Sequence, residues 1–160
     1  MSTADEHRAR IADFYAAFAA RDGDAMAAHY APGSTFRDPA FGDLSGEEAG
    51  DMWRMLTGRA EDLEIELAAH DADDAGGGTA NWIAHDTVAQ TGRKVVNDIQ
   101  ARFRFAEDGR FAEHVDDFSF HTWSKQALGL PGLLLGWTPI LPAATQKKAR
   151  AQLAAFRAGG

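Results

Sequence analysis

Asp38 is the residue of this chain whose surroundings most suggest chemistry. It lies at the end of a predicted short strand after two helices, in the segment Phe36–Phe41, where aromatic side chains flank a single carboxylate. Lost hydration among rings disfavours the charged form of a carboxylate, and the raised pKa suits a proton-transfer base near neutral pH. Pro39 also favours an extended Asp38 at a bend, where aspartate is common, so a simple turn residue is the alternative interpretation.

His114 and Asp116 are the second chemical feature, separated by one residue. Residues two apart in an extended strand share a face, so both side chains should point the same way. A histidine and an aspartate at this spacing can supply two ligands of a metal site. The pattern gives no second histidine a place on that face, and His85 should point outward, so no metal site is predicted.

The Asp108-Gly109 pair is a strong hairpin signal that fixes the neighbours of this face. A two-residue turn there sets Phe103 opposite His114 and Ala101 opposite Asp116, on an apolar inner surface. Polar groups on such a surface are costly unless they meet each other, water or a ligand, which predicts a pocket. A bulge that turns the polar face to solvent is the alternative.

Three helices are predicted before the sheet, each with a capping signal at its start. The apolar spacing of Ile11, Phe14, Tyr15 and Phe18 is typical of an amphipathic helix. The first helix is capped by Thr3 with Glu6 and runs to about Arg21. The second is short, has Asp22 as its N-cap and carries Tyr30. The third is capped by Ser45 with Glu48 and ends near Gly58.

Alternating residues then predict three or four antiparallel strands. The first starts at Asp62, the second spans about 79–90, the third carries Ile99, Ala101, Phe103 and Phe105 on one face, and the last spans about 110–120. The Gly92-Arg93 turn sets Ala84 opposite Ala101 and places Asp86 and Asn97 on the inner surface. The fold class is therefore α+β, a curved antiparallel sheet packed on three N-terminal helices. The tail, residues 121–160, adds a helical extension that closes a cavity mouth, forms a dimer contact or caps the core edge.

Composition limits the classes of function. The net charge of -8 and the pI of about 5.1 argue against a nucleic-acid partner, because phosphate binding needs clustered Lys and Arg. The chain has no cysteine and no apolar run of spanning length. We therefore expect one domain over residues 1–160, cytoplasmic and without a membrane partner.

Residues 5–120 resemble the nuclear transport factor two-like superfamily, which includes ketosteroid isomerases, polyketide cyclases, scytalone dehydratase and SnoaL-like proteins. The resemblance is to the SnoaL-like and ketosteroid isomerase-like branch, and it implies a cone-shaped sheet around a pocket, with no cofactor. The matching segments are Tyr15–Phe18, Asp22–Met26, Tyr30–Ala31, Phe36–Pro39, Gly92–Val96, Phe103–Phe105 and, in the tail, Trp123–Gly129 and Gly136–Trp137.

The resemblance also implies roles for individual residues. Asp38 resembles the general base of ketosteroid isomerases, as the aspartate of an Asp-Pro pair. His114 and Asp116 resemble the groups that cyclases and the dehydratase use within the cone. The oxyanion tyrosine of the isomerases falls on Phe14, one residue before Tyr15, and their protonated aspartate falls on Ala101 or Gln100. This departure argues against steroid isomerisation.

The sequence therefore predicts an enzyme without cofactor that moves protons on a small hydrophobic carbonyl or polyketide-like compound, with Asp38, His114 and Asp116 as catalytic residues. The alternative is a non-catalytic module that binds a small ligand or dimerises. A homodimer is expected, because an apolar tail that includes Leu133–Leu135 would otherwise face water. The predicted pocket-lining residues are Phe14, Tyr15, Phe18, Trp53, Trp82, Asp86, Asn97, Phe103 and Phe118.

Overall fold

The structure is a computed structural model that describes residues 2–87, 92–128 and 140–159. It has the predicted α+β class, with helices packed on one curved sheet of six strands. In chain order the elements are α1 (Thr3–Ala19), α2 (Gly23–Ala27), β1 (Tyr30–Asp38), β2 (Gly42–Ser45), α3 (Gly46–Arg59), β3 (Glu64–Ala72), β4 (Gly77–Thr87), β5 (Lys94–Phe105), β6 (Phe111–Asp117), α4 (Phe120–Leu128) and α5 (Ile140–Arg157).

The strand order β2-β1-β6-β5-β4-β3 differs from the prediction of three or four antiparallel strands. The sheet gains β1 and β2, and β1 pairs with β6 in parallel, so that Phe36 lies beside His114. The register of β1 shifts between Tyr30 and Thr35, where Pro32 and Gly33 interrupt the alternation. That interruption explains why only the end of β1 is readable as a strand in the sequence.

The helix signals were correct in kind, and two details were wrong. α1 begins one residue earlier, because Ser2 is the N-cap and forms the capping box with Asp5 instead of Thr3 with Glu6. α2 ends at Ala27, so Tyr30 belongs to β1 and not to a helix. The N-caps of α2 and α3 are as predicted, with the Ser45–Glu48 capping box opening α3.

The β5–β6 hairpin has the predicted register, with Phe103 opposite His114 and Ala101 opposite Asp116. The β4–β5 hairpin does not, because Ala84 lies opposite Asn97 and Ala101 opposite Ala80. The connection is therefore longer than a tight turn at Gly92-Arg93, and residues 88–91 lie outside the described part. The error of four residues is even, so it leaves each side chain on its predicted face.

The C-terminal part packs on the domain. α5 lies against α3, where Arg157 binds Asp51, and its Leu153 is buried in the common core. Leu133–Leu135, on which the expected dimer contact rested, lie outside the described residues, so dimerisation stays a prediction. In the described ranges, none of the helices has the length and apolar character needed to cross a membrane.

Two glycines of α3 allow a matched test of this packing. A Cβ on Gly50 would lie 2.9 Å from the Cβ of Ala27, whereas a Cβ on Gly58 would meet nothing within 4 Å. We expect Gly50→Ala to lower the free energy of unfolding by about 1–3 kcal/mol through overpacking. Gly58→Ala should raise it by up to about 1 kcal/mol through helix propensity. Urea denaturation measures both, and equal effects would contradict the close approach of α2 and α3.

Candidate functional site

The parallel pairing of β1 and β6 brings two carboxylates together. Arg37 lies beside Val115, and one step further along both strands the same register leads to Asp38 and Asp116. Neighbouring strands are about 4.8 Å apart, so both side chains lie next to each other on the inner face. Asp116 is buried, at 4 % exposed, and Asp38 is half-buried.

Asp38 has the properties expected of both interpretations of its sequence. Its Oδ1 accepts a hydrogen bond from the backbone N–H of Phe41 at 2.6 Å, so it does hold the β1–β2 turn. Burial first, and the negative charge of Asp116 second, raise the pKa of Asp38 to about 7 against the lowering effect of the Phe41 and Ala40 N–H groups. A turn residue can thus also exchange a proton near neutral pH.

A continuous chain of hydrogen bonds crosses the core to Asp116. The indole Nε1–H of Trp53 donates to Tyr30 Oη at 2.8 Å, and Tyr30 Oη lies 2.8 Å from His114 Nδ1. His114 Nε2 lies 2.8 Å from Asp116 Oδ1. Trp82 Nε1–H reaches the same oxygen at 3.4 Å. All five side chains are buried, so each of these polar groups depends on its neighbours for pairing.

Aromatic rings enclose the imidazole of His114, which is fully buried. Phe103 stacks on it with ring centroids 4.4 Å apart, and Phe36 and Phe14 meet it edge-on at 5.0 and 5.6 Å. Both ring nitrogens are already engaged with Tyr30 and Asp116. The imidazole is therefore fixed inside the protein, and Tyr30 and Asp116 are its hydrogen-bond partners among the described residues.

Six of the predicted pocket-lining aromatics form one packed core instead of an open wall. None is more than 5 % exposed, and their rings contact each other. The six are Phe14, Tyr15, Phe18, Trp53, Trp82 and Phe103. Tyr15 differs from the others because its buried hydroxyl has no hydrogen-bond partner among the described residues. Burial, with the charge of Asp116 second, raises the pKa of Tyr15 well above its ordinary value.

The remaining predicted residues lie further from the carboxylates. Asp86 shares the inner side of β4 but is exposed near the strand end, where it accepts from the N–H of Thr87. Asn97 is half-buried opposite Ala84. Phe118 follows the end of β6 and packs half-buried against the core. These three residues do not join the hydrogen-bonded chain.

Asp38 and Asp116 both line an open cleft of about 760 Å³. α5 borders this cleft and holds the turn after Asp38 by long side chains. Gln146 Nε2 donates to the carbonyl of Pro39 at 3.1 Å, and Arg150 Nη1 donates to the carbonyl of Phe41 at 2.9 Å. The cleft therefore has the carboxylates on the sheet side and the C-terminal helix on the other.

Sequence reasoning missed Tyr30, Gln146 and Arg150. Tyr30 was assigned to a helix, and only the Pro32-Gly33 pair after it signals that the chain changes structure there. Gln146 and Arg150 bind a turn more than 100 residues earlier in the chain. No local pattern encodes a contact of that separation.

Comparisons with known proteins agree with this architecture. The model of the SnoaL-like domain family matches residues 11–114, which is more than half of the chain. A search of curated proteins gives no significant match.

Solved structures resemble most of this chain. An LEH-like epoxide hydrolase of M. tuberculosis shares 19% identity at a TM-score of 0.65, over 82% of this chain and 97% of its own. A hypothetical protein of ketosteroid isomerase-like fold from Catenulispora acidiphila, in complex with trimethylamine, shares 17% identity at a TM-score of 0.66, over 81% of this chain and 97% of its own. A putative polyketide cyclase from Xanthomonas campestris shares 18% identity at a TM-score of 0.66, over 78% of this chain and 98% of its own. At these identities the likeness shows the fold.

The two buried tyrosines near Asp116 provide a test of the geometry. Tyr15→Phe removes an unpartnered hydroxyl, so the free energy of unfolding should stay equal or rise by about 1 kcal/mol. Tyr30→Phe leaves Trp53 Nε1–H and His114 Nδ1 unpaired in the core, at a cost of about 1–3 kcal/mol for each. Urea denaturation of both variants measures the difference, and similar losses would contradict the hydrogen-bonded chain.

Proposed function

Since the chain belongs to the family of SnoaL-like domains, we propose that it is an enzyme that moves protons on a small hydrophobic carbonyl compound without a cofactor. One observation carries the proposal. Asp38 and Asp116 are neighbours on paired strands and line one cleft, and the pKa of Asp38 is raised to about 7. Two carboxyl groups whose environments differ can divide acid and base roles between them.

Asp38 is the proton-transfer group of the proposed reaction. As a carboxylate it removes the proton from the carbon next to the carbonyl, and as a carboxylic acid it returns that proton to another atom of the same substrate. A group that titrates near the working pH is efficient in both directions. The hydrogen bond from the Phe41 N–H fixes one oxygen of Asp38 and so orients the carboxyl group.

Negative charge develops on the carbonyl oxygen when the proton leaves, and it needs a donor. Tyr15 is buried in the aromatic core and does not line the cleft, so in our proposal an arginine that lines it, such as Arg102, supplies that donor. His114 has both nitrogens engaged. We therefore give His114 the task of holding Asp116, without contact to the substrate.

The size of the cleft supports a small substrate. About 760 Å³ lies within the range of small-molecule sites, and the charged side chains of its lining, among them Arg37, Arg102 and Arg150, suit the polar carbonyl end of such a compound. Solved proteins of this fold include an LEH-like epoxide hydrolase and a putative polyketide cyclase. Polyketide-like compounds with an acidic C–H next to a carbonyl are the class we favour.

Hydrogen exchange of a simple ketone tests the proposed reaction. With 2-tetralone in D₂O, the wild-type protein should accelerate deuterium uptake next to the carbonyl, and the rate should rise with pH around a midpoint near 7 as Asp38 ionises. Asp38→Asn should lower the rate by about 10²–10⁴-fold, the usual contribution of a positioned base. Proton NMR follows the exchange.

Asp24→Asn is the matched control, because Asp24 is a surface aspartate paired with Arg54, away from the cleft. It should keep the wild-type rate. Exchange that is equally fast with wild type and Asp38→Asn would overturn the role of Asp38. The absence of any acceleration over buffer would favour the non-catalytic ligand-binding module.

Stability against pH tests the ionisation of Asp38 without a substrate. Its folded pKa of about 7 lies above the unfolded value of about 3.9, so the folded state binds more protons between these values. Wild-type stability should therefore fall as pH rises from about 4 to about 7, relative to Asp38→Asn. Asp38→Asn keeps a carbonyl for the Phe41 N–H, whereas Asp38→Ala loses that bond and should cost about 0.5–2 kcal/mol. Thermal melts across this range measure all three proteins, and parallel curves would contradict a raised pKa.

A further inference from the structure

Two tryptophans bound the buried chain that leads to Asp116, and an indole N–H can only donate. Trp53 donates to Tyr30 Oη, and Trp82 donates to Asp116 Oδ1. These two ends set the direction of every hydrogen bond between them. The positions of the protons in the chain can therefore be assigned by counting donors and acceptors.

The count begins at Tyr30. Its oxygen accepts from Trp53, so its single O–H remains for the other contact, at 2.8 Å, to His114 Nδ1. Burial keeps that hydroxyl protonated, since the pKa of Tyr30 is raised well above its ordinary value. If Nδ1 carried a proton instead, the O–H of Tyr30 would be left buried without a partner. His114 Nδ1 is therefore the acceptor.

The other ring nitrogen must then carry the proton. A neutral imidazole has one N–H, so Nε2–H donates to Asp116 Oδ1 over 2.8 Å. That oxygen also receives Trp82 Nε1–H. An oxygen that accepts two hydrogen bonds is best supplied by an ionised carboxylate.

We propose that Tyr30, oriented by Trp53, is a positioning residue that locks His114 in its Nε2–H tautomer and thereby keeps Asp116 a carboxylate beside Asp38. The inference deepens the proposed function by naming what maintains the charge difference between its two carboxyl groups. Neither Tyr30 nor Trp53 has to contact a substrate in this arrangement.

The consequence of losing the Tyr30 hydroxyl has a definite sign. Without that donor, either Nδ1 gains a proton while Nε2 keeps its own, which gives an imidazolium, or the single proton of the ring moves to Nδ1. In the second case the lone pair of Nε2 faces Asp116, which favours the protonated form of that carboxyl group. A positive charge appears in the first case, and a negative charge is lost in the second. Both changes favour ionised Asp38, so its midpoint falls from about 7 toward the ordinary value of a carboxyl.

Several other ionisable groups surround the two carboxylates and belong to the control of the experiment. The described groups near them are Tyr15 on α1, Tyr30 on β1 and His114 on β6, together with Arg37, Asp43, Arg102, Asp117 and Arg150 around the cleft. Trp53 on α3 and Trp82 on β4 carry no charge. Tyr30→Phe changes none of the charged groups, so a shift of the Asp38 midpoint has to come through His114 and Asp116.

The experiment is NMR of the full chain at pH 7, and it needs no turnover. Long-range ¹⁵N–¹H spectra of the imidazoles, assigned by comparison with His114→Gln, should show His114 protonated at Nε2 alone. Carboxyl ¹³C titration should give the midpoint of Asp38. In Tyr30→Phe we expect a changed His114 protonation pattern and a lower Asp38 midpoint, and Trp53→Phe should shift both in the same direction by less.

Tyr15→Phe is the matched control, since it removes a buried hydroxyl that is outside the chain and should leave the His114 tautomer unchanged. A wild-type His114 protonated at Nδ1 would overturn the proposal even if no variant folded. So would a folded Tyr30→Phe with the wild-type tautomer and midpoint. The ketone exchange can fail while these results hold, so the two proposals fall separately.

Discussion

The parallel pairing of β1 with β6 is the constraint on which the rest of the site depends. The other strand pairs of the sheet are antiparallel, and they join strands that follow each other in the chain or nearly so. The β1–β6 pair joins residues about 80 positions apart. It brings Asp38 next to Asp116 and Tyr30 within reach of His114, and neither contact would exist if β1 lay elsewhere.

The exclusion of water determines the electrostatics of the site. The imidazole of His114 sits among Phe14, Phe36 and Phe103, where water cannot screen charge. In such surroundings the donors that reach a carboxyl group matter most. Side chains of His114 and Trp82 lie at Asp116, whereas backbone N–H groups of Phe41 and Ala40 serve Asp38. The two neighbouring carboxyl groups thus differ in the kind of partner that holds them.

The sequence was sufficient for the elements whose signals are local. Capping residues located α2 and α3, and the Asp108-Gly109 turn gave the register that turns His114 and Asp116 inward. It was insufficient where the deciding contact is distant. The bulge after Tyr30 concealed most of β1. The packed aromatics were expected around an open pocket, because alternation shows which face of a strand is apolar but not how closely the helices pack on that face.

The hydrogen bonds from α5 to the turn after Asp38 have a consequence for folding during synthesis. The carbonyls of Pro39 and Phe41 can be paired only after Gln146 and Arg150 have left the ribosome, more than 100 residues later. The sheet can pair before α5 is made, because β6 ends at Asp117. Maturation therefore separates into two stages, in which a folded scaffold comes first and the final geometry of Asp38 is set only when the last helix docks.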